Sequence, residues 1–472
     1  MKWKKIAFLM VSISIIQPSD AKEKVDDVWT EGERIANSII QPNIPNVEYL
    51  ITAYGASSDS GAMHNSKSIN QAISDASCKG GGKVIVPEGE WLTGPIDMKS
   101  GVNLVVSKGA VLKFSTVHEH YLPVVRTRWE GIDCYNLHPL IYAYQQNDIA
   151  ITGEGIIDGQ GSVETWWHWC GSAKKYGWQE GMLRQNAPGH GRVLLTEYEQ
   201  TGVDIEKRRM GIADALRPQL INIFDCERVL IENVTLKNSP FWVIHPVWVN
   251  NLTVRGVKVS SHGPNSDGCD PESSKNVLIE NCIFDTGDDC IAIKSGRNND
   301  GRIWNRPSEN IVVRNCKMID GHGGIVVGSE ITGGYRNLWV ENCEMDSPEL
   351  ERVVRIKTNS CRGGIIENIY VRNIKVGQCK EAVLKINLDY EPREACKRDF
   401  LPIVRNVKVE NITSQKSKYG IYIIGLKDTE NIDNITVKDC SWNGVAEGNK
   451  IDGNVGKMIY QNYKQNGEKI RK

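Results

Sequence analysis

One phrase, written eight times with small changes, limits what this 472-residue chain can fold into. It reads VLIENVTL from Val229, LTVRGVKV from Leu252, VLIENCIF from Val277, IVVRNCKM from Ile311, LWVENCEM from Leu338, IYVRNIKV from Ile369, VKVENITS from Val407 and ITVKDCSW from Ile435. Each copy is a short alternating strand, one polar residue, then a second strand. The polar residue is Asn233, Asn281, Asn315, Asn342, Asn373 or Asn411, with Gly256 and Asp439 in the two remaining copies. Asn, Gly and Asp enter the left-handed backbone region more readily than other residues, so a sharp bend recurs at a fixed place. Spacings run from 23 residues (233 to 256) to 38 (373 to 411), so a constant coil is padded by loops of unequal length. No long helical pattern separates the strands, which excludes a βαβ sandwich or barrel. What is left is an all-β architecture, a single-stranded right-handed parallel β-helix, whose equivalent residues stack in ladders about 4.8 Å apart.

The rest of the chain is read around that solenoid. Ser66 to Cys78 has helical apolar spacing (Ile69, Ala72, Ile73, Ala76) and ends in Lys79-Gly80-Gly81-Gly82, which predicts a helical cap on the open N-terminal end. Early strands are predicted at Lys83 to Pro87, Val102 to Val106 and Ile149 to Ile157. From about Gly161 to Leu216 the repeat is lost in a long insertion carrying Trp166, Trp167, Trp169 and Trp178. Tryptophan outnumbers phenylalanine, 13 to 6, and two readings are open: sugar-stacking surfaces or large core fillers. The β-helix domain is therefore placed at 49–472, after an N-terminal segment at 22–48.

Residues 1–21 read as a signal peptide: lysines in the first five residues, an apolar run from Ile6 to Ile16, and Ser19 and Ala21 at the small-residue positions of a cleavage site. The expectation is a secreted protein, periplasmic or extracellular, with no membrane association once the peptide is removed. No cysteine stands near the cleavage site to carry a lipid. The 13 cysteines are an odd number without CxxC pairs, and Cys282, Cys316, Cys343 and Cys440 occupy equivalent places in the repeat. Most are thus expected as buried, stacked thiols rather than a disulfide framework. Asn-x-Thr occurs at Asn233, Asn251, Asn411 and Asn434, but two of these already belong to the asparagine ladder. A net charge of -1 offers no basic field for nucleic acid.

The acidic residues hardest to assign to turns lie in NSDGCD (Asn265 to Asp270) and DTGDDC (Asp285 to Cys290). Asp267 and Asp288 are 21 residues apart, about one coil, so stacking brings them together with Asp289 beside them. Three carboxyls in one patch repel, and at least one is expected to hold a proton. A protonated acid beside ionised carboxylates suits glycoside hydrolysis; a turn or a calcium site is the competing reading. His322 follows in GHGG (Gly321 to Gly324), where small neighbours allow close approach. Arg355 and Lys357, two apart in RIK, share one face of a strand and suit a substrate bearing its own carboxylate.

NSDG, DTGDDCIAIKSG, GHGG and RIK, in that order on a solenoid, resemble the polygalacturonases, the pectin-degrading glycoside hydrolase family 28. The resemblance spans about Tyr54 to Leu426. It implies cleavage of α-1,4-linked galacturonic acid with inversion and without a metal or other cofactor. It also implies roles: Asp288 as general acid, Asp267 and Asp289 activating water, His322 tuning the acid, and Asn265, Arg355 and Lys357 in the substrate site. The substrate partner is then a pectic polysaccharide or oligogalacturonide. One departure is Ser266, where the family has threonine. Another is the longer step from Asp289 to His322, which predicts an insertion at about Asn298 to Asn310 beside the cleft. Both insertions suggest a groove closed at one end, hence exo action, with Trp129 (in RTRWEG) and the Trp166 to Trp178 cluster expected at the blocked subsite and Arg126 or Arg128 on a terminal carboxylate. The alternatives are a rhamnogalacturonan-directed galacturonidase of the same family, a calcium-dependent pectate-lyase-type enzyme, and a non-catalytic β-helix adhesin.

Overall fold

A computed structural model describes residues 27–171, 174–392 and 394–471; the predicted signal peptide lies outside the described residues. The first residues of the eight repeat phrases stand in one parallel register. Val229, Leu252, Val277, Ile311, Leu338, Ile369, Val407 and Ile435 pair in succession up a first sheet. After the bend, a second sheet carries Leu236, Val259, Phe284, Met318, Met345 and Val376 in the same way. A third sheet closes each coil through Ile141, Ile221, Ile244, Cys269, Ile291, Ile325, Val354, Leu384 and Ile421. These side chains point inward and form one continuous buried core. The architecture is the parallel β-helix that the repeat demands, because an alternating strand with one apolar face must bury it against its own neighbours.

Each bend residue adopts the expected left-handed conformation: Asn233, Asn281, Asn315, Asn342, Asn373, Asn411, Gly256 and Asp439 all have φ between 51° and 64°. A second and longer ladder, not anticipated, runs along the other end of the first sheet. The amides of Asn276, Asn310, Asn337, Asn368, Asn406 and Asn434 each donate to the oxygen of the asparagine one coil below, at 2.8 to 3.2 Å. Asn434 of the Asn-x-Thr set is thus a ladder residue too, and Asn251 is held by Glu227.

Helix α1 (Val28–Ser38) lies across the outer face of the first sheet, packing Trp29, Ile35 and Ile39 on Leu278, Val312 and Trp339. This helix lies in the N-terminal segment, ahead of the solenoid repeat. Helix α2 (Ala62–Cys78) is the predicted cap and buries Ile69, Ala72, Ile73 and Ala76. The long insertion contains helix α3 (Gly191–Thr201). It packs on α4 (Asn298–Trp304), which occupies the second predicted insertion. Trp166 and Trp169 are buried at the root of the insertion, where they serve as core. Cys361 and Cys396 form a disulfide, and nine of the free cysteines are buried, Cys282, Cys316 and Cys343 among them.

Candidate active site

The outer face of the third sheet floors a pocket of about 410 Å³. Its chemistry arrives on successive turns from the second sheet to the third. Asp267 precedes Cys269, Asp288 and Asp289 precede Ile291, and His322 precedes Ile325, while Arg355 and Lys357 lie on the strand Arg352–Lys357. Because Cys269, Ile291, Ile325 and Val354 are stacked in register, the polar residues beside them stack as well. Gly323 has a steric reason: a Cβ there would lie 2.4 Å from Val326 and 3.2 Å from the Asp289 carboxylate.

One oxygen from each of Asp267, Asp288 and Asp289 lies within 4.8 Å of the others. That is tighter than the ~6.5 to 9.5 Å carboxyl separation usual for an inverting pair. The repulsion is answered residue by residue. Asp289 is buried and takes Lys357 Nζ at 2.8 Å on one oxygen and Arg355 Nη1 at 3.3 Å on the other. Asp288 accepts from the Asp289 backbone N–H and meets His322 Nδ1, both at 3.0 Å. Burial alone would raise the Asp288 carboxyl, but the hydrogen bond and charge of His322, with Lys357 and Arg355 behind it, hold it below the usual range. The same hydrogen bond, against desolvation, pushes His322 up to about 9. In the free site the proton of this pair therefore rests on the imidazole. Asp267 and its neighbour Asp270 are both raised well above normal, by burial first; the charges of Asp270 and Asp288 add to this at Asp267, while Lys294 opposes it at Asp270.

Asn265 also lines the pocket, its left-handed turn fixed by a 2.8 Å bond from Arg217. Arg128 and Trp129 do not, which corrects the expectation for both. Arg128 is fully buried between Asp133 (3.1 Å) and Glu272 (2.8 Å). Trp129 is equally buried, stacked on Phe241 with its indole N–H on the Arg217 carbonyl. The hairpin that carries them contributes Glu130 instead. Thr127, Arg128 and Trp129 are buried in succession, and the Arg128 guanidinium is held inward by two buried carboxylates.

Several lining residues were not legible. Tyr390 lies 5.5 Å from the Arg355 guanidinium and 5.3 Å from Lys357 Nζ, but it sits in a loop outside the repeat. Lys294 is buried 4.5 Å from the Trp242 ring and 3.3 Å from Glu330. A lysine ending the apolar strand Ile291–Ile293 was the available signal. Glu130, Arg192 of α3 and Glu391 also line the pocket and bridge to one another, with Arg192 2.8 Å from Glu130 and 3.6 Å from Glu391. Behind them Arg297 pairs with Glu130 and Glu394, and Arg362 with Glu391 and Glu394. The disulfide ties this loop to the turn before Arg362. Outside the pocket, His262, Asp285 and Asp320 also gather, with His262 Nε2 2.9 Å from Asp285.

The family model of the glycosyl hydrolases family 28 matches residues 210–459, more than half of the chain. Among curated proteins, a probable polygalacturonase of Vitis vinifera is 30% identical over 68% of this chain and 59% of its own length. An exo-poly-alpha-D-galacturonosidase of Dickeya chrysanthemi is 27% identical over 77% of this chain and 62% of its own. The chain thus spans about three fifths of these relatives. Among solved structures, a hyperthermoactive exopolygalacturonase from Thermotoga maritima superposes with a TM-score of 0.88 at 40% identity, covering 94% of this chain and 97% of that one. With the register-stacked acids on a β-helix floor and a family match that contains all six residues from Asp267 to Lys357, the chain belongs to the glycosyl hydrolases family 28.

Proposed function

We propose that this protein is an inverting, exo-acting polygalacturonase that releases galacturonic acid from the ends of α-1,4-linked galacturonan. The observation carrying the exo reading is the ion-paired rim of the pocket. Helix α3 packs on α4 and on the hairpin strand Ile132–Asn136, and its Arg192 binds both Glu130 and Glu391 at the pocket rim. A polymer chain can enter such a pocket only by its terminus. The similarity to the Dickeya and Thermotoga proteins supports the same reading.

In the reaction Asp288 gives a proton to the leaving glycosidic oxygen, and His322 resupplies it through the 3.0 Å bond. Asp267, facing the pocket, takes a proton from water as the water attacks the anomeric carbon. Arg355 and Lys357 hold the sugar carboxylate, which shares them with Asp289. Inversion is supported by the state of the candidate nucleophiles: both oxygens of Asp289 are pinned by cations, and Asp267 is buried to 4% exposure. The close carboxyl spacing then serves to bind the water between Asp267 and Asp289. Export is part of the proposal, with a mature chain starting at Lys22.

The test is a time course on oligogalacturonides and on the polymer, with product size and anomeric form followed together. Monomer of inverted configuration from the first minutes is expected. A rapid fall in polymer viscosity would refute exo action, a retained anomer would refute inversion, and an unsaturated product would identify a lyase.

A further inference from the structure

Asp270, three residues beyond Asp267, has no place in the mechanism above. It lies in the extended segment around Cys269, its backbone N–H bonded to the Ile244 carbonyl at 2.8 Å. Cys269 points into the core, so Asp270 turns to the pocket floor. Its side chain is fully buried, and neither oxygen finds a donor. What faces it is charged. Lys294 Nζ is 3.9 Å away, beyond hydrogen-bond reach, and the Asp267 carboxyl stands beside it, 3.7 Å from the same ammonium. From the next coil Asp288 and Asp289 add negative charge.

The single ammonium of Lys294 stands among three carboxyls, 3.3 Å from Glu330, 3.7 Å from Asp267 and 3.9 Å from Asp270. Glu330 has other support, from the Ser329 hydroxyl at 2.8 Å and from Arg362 at 4.0 Å. Asp267 and Asp270 have only each other. Two buried carboxyls in contact with no donor between them are compatible with a stable fold only when one supplies the hydrogen. Asp267 opens slightly to the pocket, while Asp270 is wholly enclosed, so the enclosed group is the better host for the proton.

We infer that Asp270 is a positioning residue that stays protonated, donates to Asp267, and so keeps Asp267 ionised with its other oxygen aimed at the attacking water. The inference rests on the reading of Asp267 as the base. During turnover the water oxygen bonds to the anomeric carbon as the glycosidic bond breaks. One water proton passes to Asp267, and the leaving oxygen takes a proton that His322 hands on through Asp288, the imidazole regaining one from solvent before the next cycle. The doubly protonated Asp267–Asp270 pair, with Lys294 beside it, then releases one proton to solvent before the next cycle.

Three proteins test this: the native enzyme, Asp270→Asn and Asp270→Leu. Infrared spectra of the native enzyme at neutral pH should show a protonated carboxyl that is missing from Asp270→Asn; its absence from the native enzyme overturns the inference without any variant having to fold. On an oligogalacturonide, Asp270→Asn, whose amide can still donate to Asp267, should keep kcat within about tenfold of native. Asp270→Leu should lose about a hundredfold or more in kcat with KM little changed. Equal losses in both variants would reduce Asp270 to a packing role and overturn it. Active Asp267→Asn would instead sink the assignment of the base, while the infrared result on the native protein would still stand or fall alone.

Discussion

Charge is handled in opposite ways on two faces of this solenoid. On the outer face of the first sheet, Glu232, Arg255, Glu280, Arg314, Glu341, Arg372, Glu410 and Lys438 pair in register, so the sign alternates at every coil. A parallel row runs Lys275, Glu309, Arg336, Glu367, Arg405 and Asp433. At the turns into the third sheet, Asp267 and Asp288 stack like on like, with Asp289 and Asp270 added. At one coil of rise, opposite charges attract and like charges repel, so the first arrangement maintains the fold and the second strains it. The strained set persists because Lys294, His322, Arg355 and Lys357 are built around it, and the last three are the groups the proposed chemistry uses. An unalternated charge row on a β-helix therefore marks its working face.

The largest test of this contrast is Asp288→Asn. Turnover should fall by about a thousandfold or more, with an unchanged melting temperature and circular dichroism. Near-native activity would remove the reason for the stacked acids. Asp289→Ala attacks the compensation instead. It leaves Arg355 and Lys357 buried without their anion, and a loss of about 3 to 5 kcal/mol in urea unfolding is expected, together with weaker substrate binding.

His322→Gln should act mainly through pH. In the native pair the proton is held up to about pH 9, the value to which Asp288 pushes the imidazole. Without it the proton rests on a carboxyl alone, which gives it up at lower pH. The alkaline limb of kcat/KM is therefore expected to move to lower pH; a limb that stays in place would separate His322 from the acid. The smallest effect belongs to the outer face. Arg336→Ala breaks one exposed rung, 2.6 Å from Glu309, and should cost less than about 1 kcal/mol with activity unchanged. A larger cost would mean that the alternating rows are stiffer than surface pairs elsewhere.

The fold was legible because a β-helix repeats its own instructions. Every coil needs an apolar strand, a left-handed bend and another strand, and the bend residues Asn233 to Asp439 state the register directly. The core of the site was legible for the same reason, since Asp267, Asp288, Asp289 and His322 sit at equivalent turns of consecutive coils and Arg355 and Lys357 on the strand of the next. Residues outside the repeat were not. Arg128 and Trp129 lie on a hairpin whose facing could be known only after Glu272 and Asp133 were placed beside it. Tyr390 and Arg192 come from loops with no period to count. Helix α1 covers apolar residues of the first sheet, Leu278 and Val312, that an alternating pattern assigns to solvent.

The sequence by itself determined the solenoid and the row of turns on which the acids stand, because stacking at a fixed rise converts spacing along the chain into distance in space. Only the tertiary structure decided the protons and the shape of the cleft. Whether a carboxyl is ionised depends on which cations and carboxyls surround it, and Lys294, His322 and Asp270 reach Asp267 and Asp288 from different coils. Whether the groove is open depends on where a long insertion lands. Helix α3 meets α4 and Glu391 through contacts between segments more than 90 residues apart, which no local pattern encodes.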